Sequence, residues 1–204
     1  MMTISSSRVL AVGVAMFNQL AGINAILYYL NDIFRSAGFS SLSSNIQSVC
    51  VGSTLLVFTL LGTSVIDHFG RKKLLLVGSV GTSICLAAVA WVFIAKAHEK
   101  ILLLLLVFYI AFFALSQGAV IWVYISEVFP NHIRAKGQSL GSFSHWIMNA
   151  IISAVFPAMA ASLGGYAFAF FSLMMVIQFF VVLMVYPETT GIILERMERN
   201  LGVK

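Results

Sequence analysis

The chain has 204 residues, of which 60% are hydrophobic and 9% are Asp, Glu, Lys or Arg, with a formal charge of +5. Soluble domains carry roughly 25% charged residues, so a chain this apolar cannot cover its surface with polar groups and must use lipid as its solvent. That leaves no room for a soluble catalytic domain. The basic residues lie in short loops between apolar runs, which is a topology signal and not a nucleic-acid surface.

At about 20 residues per crossing, an all-α integral membrane protein with six transmembrane helices is predicted, over residues 9–34, 45–66, 74–95, 101–127, 137–162 and 166–186. Residues 1–8 form a short stub, and residues 187–204 a polar tail read as a short amphipathic helix. The first helix carries Asn18, Gln19 and Asn24 in an apolar setting. Each amide needs a hydrogen-bond partner there. Gln19 and Asn24 lie about 140° apart on an ideal helix, so they meet only if the helix breaks at Ala21-Gly22. Amides beside a broken helix are how transporters build a midplane site, and groups that both donate and accept suit a neutral polyol. The other reading is that they join helices.

The second helix closes with Asp67-His68-Phe69-Gly70-Arg71-Lys72-Lys73, in which Gly70 is a helix stop. Gly52, Ser53, Gly62, Gly78 and Gly81 predict close helix packing. Cys50 and Cys85 lack metal-ligand spacing and read as reduced core residues; no metal site and no cofactor are expected. In the fourth helix Gly118 and Trp122 are four apart, so the ring can lie over bare backbone. That helix ends in Glu127-Val128-Phe129-Pro130, with Arg134 four residues on. Acids and arginines at facing helix ends can pair across a bundle and hold one conformational state; the plain alternative is topology signalling by the cations. In the fifth helix Gly141, His145 and Asn149 form a stripe flanked by Ser142 and Trp146. His145 reads as a proton relay, a ligand contact or a packed core residue, and its neighbours favour the ligand-facing stripe. Trp146 suits a platform for the apolar face of a sugar ring, although Trp also marks membrane interfaces.

Alternate loops sort the charges. Nine basic residues (Arg8, Arg71, Lys72, Lys73, Arg134, Lys136, Arg196, Arg199, Lys204) fall on one side and three (Arg35, Lys96, Lys100) on the other. The richer side is cytoplasmic by the positive-inside rule, which places both termini there in a multi-pass protein of the cell membrane. No carboxylate lies near the middle of a span, so this chain offers no obvious intramembrane proton carrier among its acids.

These motifs together resemble the sugar porter family of the major facilitator superfamily, in its carboxy-terminal six-helix half. The family's Gln-Gln-x-Ser-Gly-Ile-Asn appears as Asn18-Gln19-Leu20-Ala21-Gly22-Ile23-Asn24, followed by Tyr28-Tyr29. Its Asp/Glu-x-x-Gly-Arg-Arg/Lys appears as Asp67 to Lys72, its span-ten Trp as Trp122, and its Glu-x-Phe-Pro-x-x-x-Arg as Glu127 to Arg134. Asn/Gln-Trp-x-x-Asn appears as His145 to Asn149, and the terminal Pro-Glu-Thr-Lys-Gly as Pro187 to Gly191. The resemblance implies sugar contacts at Asn18, Gln19, Asn24, Tyr28, Trp122, His145, Trp146 and Asn149. It also implies an intracellular ion-pair network of Asp67, Arg71, Glu127, Arg134 and Glu195. The sequence departs from the family at Asn18, at Leu55, where a sugar-binding Asn is usual, and at Ala119, where a proline would bend span ten.

The function implied is alternating-access transport of a monosaccharide, hexose or pentose, by facilitated diffusion or symport. The partners are the sugar, the bilayer and a complementary six-helix half: a separate chain, missing sequence or a second copy in a homodimer. A truncated or split gene product is expected over a natural half-size protein. The alternative is a sugar-sensing or regulatory half-porter without turnover. A remote third reading, an intramembrane serine protease, is opposed by the lack of a second intramembrane His to serve Ser142 or Ser144.

Overall fold

A computed structural model describes residues 4–189 of the chain. They form helices with no strand among them. The first crossing is divided into α1 (Ile4–Leu20), α2 (Ile23–Tyr28) and α3 (Leu30–Ser36). Then come α4 (Ser41–Phe69) and α5 (Arg71–Ala95). The fourth crossing runs through α6 (Leu102–Phe113), a π-helical turn (Ala114–Gly118) and α7 (Ala119–Glu127). Finally α8 (Arg134–Leu163) and α9 (Tyr166–Val185) complete the bundle. Six stretches are long and apolar enough to cross a bilayer: Ser5–Tyr28, Ser43–Phe69, Arg71–Ala95, Glu99–Glu127, Asn131–Leu163 and Tyr166–Val185.

The bundle has two apolar cores with a polar belt between them. One core holds Leu10 to Ala15 of α1, Leu74 and Leu75 of α5, Val120 to Ile125 of α7 and Val182 of α9. The other holds Ala21 to Ile26 around the first break, Cys85 to Ala90 of α5, Leu102 to Phe113 of α6 and Ala167 to Met175 of α9. Each of these four crossings passes from one core to the other at buried polar residues: Asn18 and Gln19, Ser79 and Thr82, Ser116 and Gln117, and Gln178. Ser79 and Thr82 return their hydroxyls to carbonyls one turn back, at 2.7 and 2.6 Å. A serine or threonine satisfied within its own helix costs little in the apolar interior; an amide must reach a neighbour.

The expected break in the first crossing is present. Gly22 adopts φ +79°, a left-handed conformation that glycine tolerates. A Cβ there would lie 2.7 Å from the Phe171 ring, so the bare backbone also admits α9. The Ala21 carbonyl accepts from the buried Tyr109 hydroxyl at 2.8 Å. The fourth crossing is distorted without a proline: the π turn adds one residue to the ladder just before Gly118, and such turns concentrate at functional sites.

Some packing expectations fail. Gly78 and Gly81 do face Ser116 and Phe112 at contact distance, and Gly62 faces the backbone of the π turn. Gly52, by contrast, meets nothing within 4 Å, and it and Ser53 are exposed. Cys85 is buried but Cys50 is exposed. The reason is that α4 lies at the margin of the bundle, where composition alone does not tell a lipid- or partner-facing surface from an interior one. The amphipathic helix expected in the tail falls, from residue 190 onward, outside the described residues.

Candidate functional site

The break at Gly22 turns Asn24 back toward Gln19, so the two amides meet although an unbroken helix would separate them. Asn24 Nδ2 donates to Gln19 Oε1 at 3.0 Å, and Gln19 Nε2 donates to Asn18 Oδ1 at 3.2 Å. Asn18 Nδ2 then donates to the Gln117 carbonyl at 3.3 Å, in the π turn. Gln19 Nε2 also lies 3.0 Å from Nε2 and 3.2 Å from Nδ1 of His145 on α8. Asn18, Gln19 and His145 are buried. The His145 ring is held between two indoles, with centroids 4.9 Å from Trp122 and 5.3 Å from Trp146.

These groups open onto a cleft of about 220 Å³ lined by Asn18, Gln19, Asn24, Trp122, His145 and Trp146, with Leu55, Phe113 and Ile121 as its apolar floor. Trp122 and Trp146 are exposed at its rim. Tyr28 and Asn149 lie on the same wall: Asn149 Nδ2 reaches the Tyr28 hydroxyl at 3.5 Å and Asn149 Oδ1 accepts from Ser153 at 3.1 Å. All eight sequence-predicted contact residues are therefore on α1, α2, α7 and α8, six in the cleft lining and Tyr28 and Asn149 beside it. The cleft offers donors, acceptors and aromatic faces but no ionised group in its lining, a set suited to neutral polyhydroxy molecules.

A second cluster closes one end of the bundle. Arg71, the first residue of α5 and buried, forms a two-pronged ion pair with Glu127 at the end of α7, at 2.7 and 3.1 Å. Asp67, one turn back across Gly70, adds a contact at 2.8 Å. The expected pairing of the two acid-turn-arginine motifs thus occurs through Arg71. Arg134 is not brought into it: its Nε and Nη2 are buried without a partner among the described residues. Glu195 lies outside those residues.

Sequence reasoning missed Glu188 and Thr189. Glu188 accepts from the backbone N–H groups of Arg71 and Lys72 at 3.0 and 3.2 Å, capping α5 at the positive end of its dipole. Thr189 Oγ1 donates to Glu127 at 2.6 Å. The chain after α9 is therefore tied to α5 and α7. The available signal was a carboxylate immediately after a proline that ends an apolar helix, facing a glycine-started helix without its own cap. Gln117 was missed too, because its part is played by a backbone carbonyl.

Residues 1–201 match the family described as sugar (and other) transporter. The D-xylose-proton symporter of Escherichia coli K12 is 34% identical over 197 residues, covering 93% of this chain and 40% of that protein. The glucose facilitated diffusion protein of Zymomonas mobilis is 32% identical over 194 residues, covering 92% of this chain and 41% of that protein. Among solved structures, the major-facilitator proton:xylose symporter XylE bound to 6-bromo-6-deoxy-D-glucose superposes with a TM-score of 0.86 at 33% identity, over 95% of this chain and 42% of that one. The chain thus spans about two fifths of the length of these relatives, and its six helices match part of a major-facilitator fold. By its sequence over nearly its whole length and by its fold, this multi-pass membrane chain belongs to the sugar (and other) transporter family.

Proposed function

We propose that this chain is the carboxy-terminal half of a monosaccharide transporter, supplying one wall of a site that a complementary six-helix half closes. The observation that carries this reading is the amide cleft: three amides bonded in a chain through Gln19, with two indoles at the rim. Its volume of about 220 Å³ falls below the roughly 300–1,000 Å³ of a complete ligand pocket, as one wall of a two-walled site should. The helices beside it also want a partner. In their apolar windows α8 buries 11% and α4 17%, against 61% for the first crossing and 56% for α5. The Arg71 cluster acts as a latch at the cytoplasmic end, forming in one state of the alternating-access cycle and opening in the other. Both termini lie in the cytoplasm, since nine of the 12 basic residues fall on that side.

The test is uptake of radiolabelled D-xylose and D-glucose into liposomes holding the chain together with a complementary six-helix half. Saturable uptake that rejects the L-enantiomers is expected. Absence of flux with saturable binding retained would instead favour the non-transporting sensor, and absence of both would overturn the assignment of a sugar site.

A further inference from the structure

From the fixed direction of the amide chain, we infer that His145 is a proton-binding site coupled to sugar occupancy, so that sugar and proton bind this cleft together. The inference rests on the reading of the cleft as a sugar site.

The direction of the chain is set at one end. The Gln117 backbone carbonyl can only accept, so Asn18 must point Nδ2 toward it and Oδ1 toward Gln19. Asn24 gives its own N–H to Gln19 Oε1. Asn18 thus turns the Gln19 amide nitrogen, and not its oxygen, toward His145, and Asn24 is oriented to match. The neutral imidazole has an acceptor nitrogen to meet that N–H at 3.0 Å. The imidazolium has none: both its nitrogens donate, and in the empty cleft they would face a donor. Reversing Gln19 to accommodate it would leave the buried Asn18 Oδ1 without a partner, even with the half-buried Asn24 amide turned to match.

A sugar hydroxyl removes this conflict, because it accepts from one group while donating to another. Placed between Gln19 and His145, it takes the imidazolium N–H on its oxygen, and a proton drawn from solvent stays on the ring while the sugar remains. When the sugar leaves, Gln19 returns and the proton is released to solvent. Binding of each ligand then favours the other by the same factor.

The surroundings leave this role to His145. Facing it are Gln19 of α1, Trp122 of α7 and Trp146 of its own helix, and the lining residues of α2 and α4, Asn24 and Leu55, are uncharged. Along α8 among the described residues, the Tyr28 phenol receives the Asn149 N–H and the Tyr29 hydroxyl donates to the Ser153 carbonyl. Glu127, at the far end of α7, is engaged by Arg71 and Thr189.

The experiment is D-xylose binding to the full chain paired with a complementary six-helix half in lipid nanodiscs, followed in weakly buffered solution with a pH-sensitive dye. Binding should take up protons, and affinity should rise roughly ten-fold between about pH 8 and about pH 5, within the range usual for coupled sites. His145→Gln should abolish both the uptake and the slope. Gln19→Glu, which puts an acceptor opposite the ring, should let the ring protonate without sugar and so abolish uptake even if His145→Gln fails to fold. Xylose binding with no proton uptake, or uptake that persists in both variants, overturns the coupling while leaving the sugar site standing. No xylose binding at any pH overturns both.

Discussion

Replacing Gly22 by alanine tests how the site is built. Gly22 sits at φ +79°, and the new Cβ would meet the Phe171 ring at 2.7 Å, with two more ring atoms at 2.9 Å. The left-handed conformation costs a non-glycine residue about 1–2 kcal/mol, and overpacking a close contact typically adds about 1–3 kcal/mol, so a loss of about 2–5 kcal/mol is expected. Gly38→Ala is the internal control, since Gly38 has φ +92° but nothing within 4 Å of its Cβ position. It should lose only the conformational part, about 1–2 kcal/mol. Unfolding of both variants in detergent, by titration with a denaturing surfactant, measures the difference. Sugar affinity should also fall in Gly22→Ala, because straightening the helix separates Asn24 from Gln19, and should be kept in Gly38→Ala. Equal destabilisation of the two variants would refute the claim that the break is wedged against α9.

Three further outcomes are expected. Arg71→Ala should destabilise the chain by about 3–5 kcal/mol, as removal of one partner of a buried ion pair does, whereas Asp67→Asn, whose side chain is 74% exposed, should change stability by about 1 kcal/mol or less; thermal unfolding compares them. Glu188→Ala leaves two N–H groups of the first turn of α5 without their acceptor and should cost about 1 kcal/mol, the usual worth of a helix cap, read in the same assay. Single cysteines at Lys73 and Lys100, introduced after Cys50→Ser and Cys85→Ser, should differ toward a membrane-impermeant maleimide added to intact cells. Lys100→Cys reacts and Lys73→Cys does not if the basic face is cytoplasmic, and the opposite pattern inverts the proposed topology.

Much of the architecture could be read from residues because the bilayer restricts the choices. Six apolar runs have to be helices, since lipid offers no other partner for the backbone. Gly22 between two amides signalled a break because Gln19 and Asn24 had no other way to satisfy each other, and that is how they are found. Arg71 and Glu127 were legible as a pair because each is an ion at a helix end. What stayed hidden depends on contacts with no local signature. The π turn, Ala114 to Gly118, carries no proline to announce it, and the close approach of Gly62 and Gly78 to it is a tertiary contact that no local residue pattern records. Glu188 reaches Arg71 across 117 positions of sequence. Arg134 carries the same motif spacing as its family counterpart yet finds no partner among the described residues, because a motif records residue types and not the angle at which a helix start leaves the turn. The exposure of Gly52 was hidden for a similar reason: small residues permit close packing without requiring it.

Equilibrium binding of D-xylose to the chain paired with a complementary six-helix half in nanodiscs, compared between the natural sequence and Gln19→Ala, tests the central claim most directly. Gln19 lines the cleft among Asn18, Asn24 and His145, and a sugar hydroxyl buried there without its Gln19 partner costs about 1–3 kcal/mol. Saturable binding that weakens at least roughly ten-fold in Gln19→Ala is expected, with each 1.4 kcal/mol equal to a factor of about ten. Binding of equal affinity in the two proteins would contradict the placement of the sugar in this cleft.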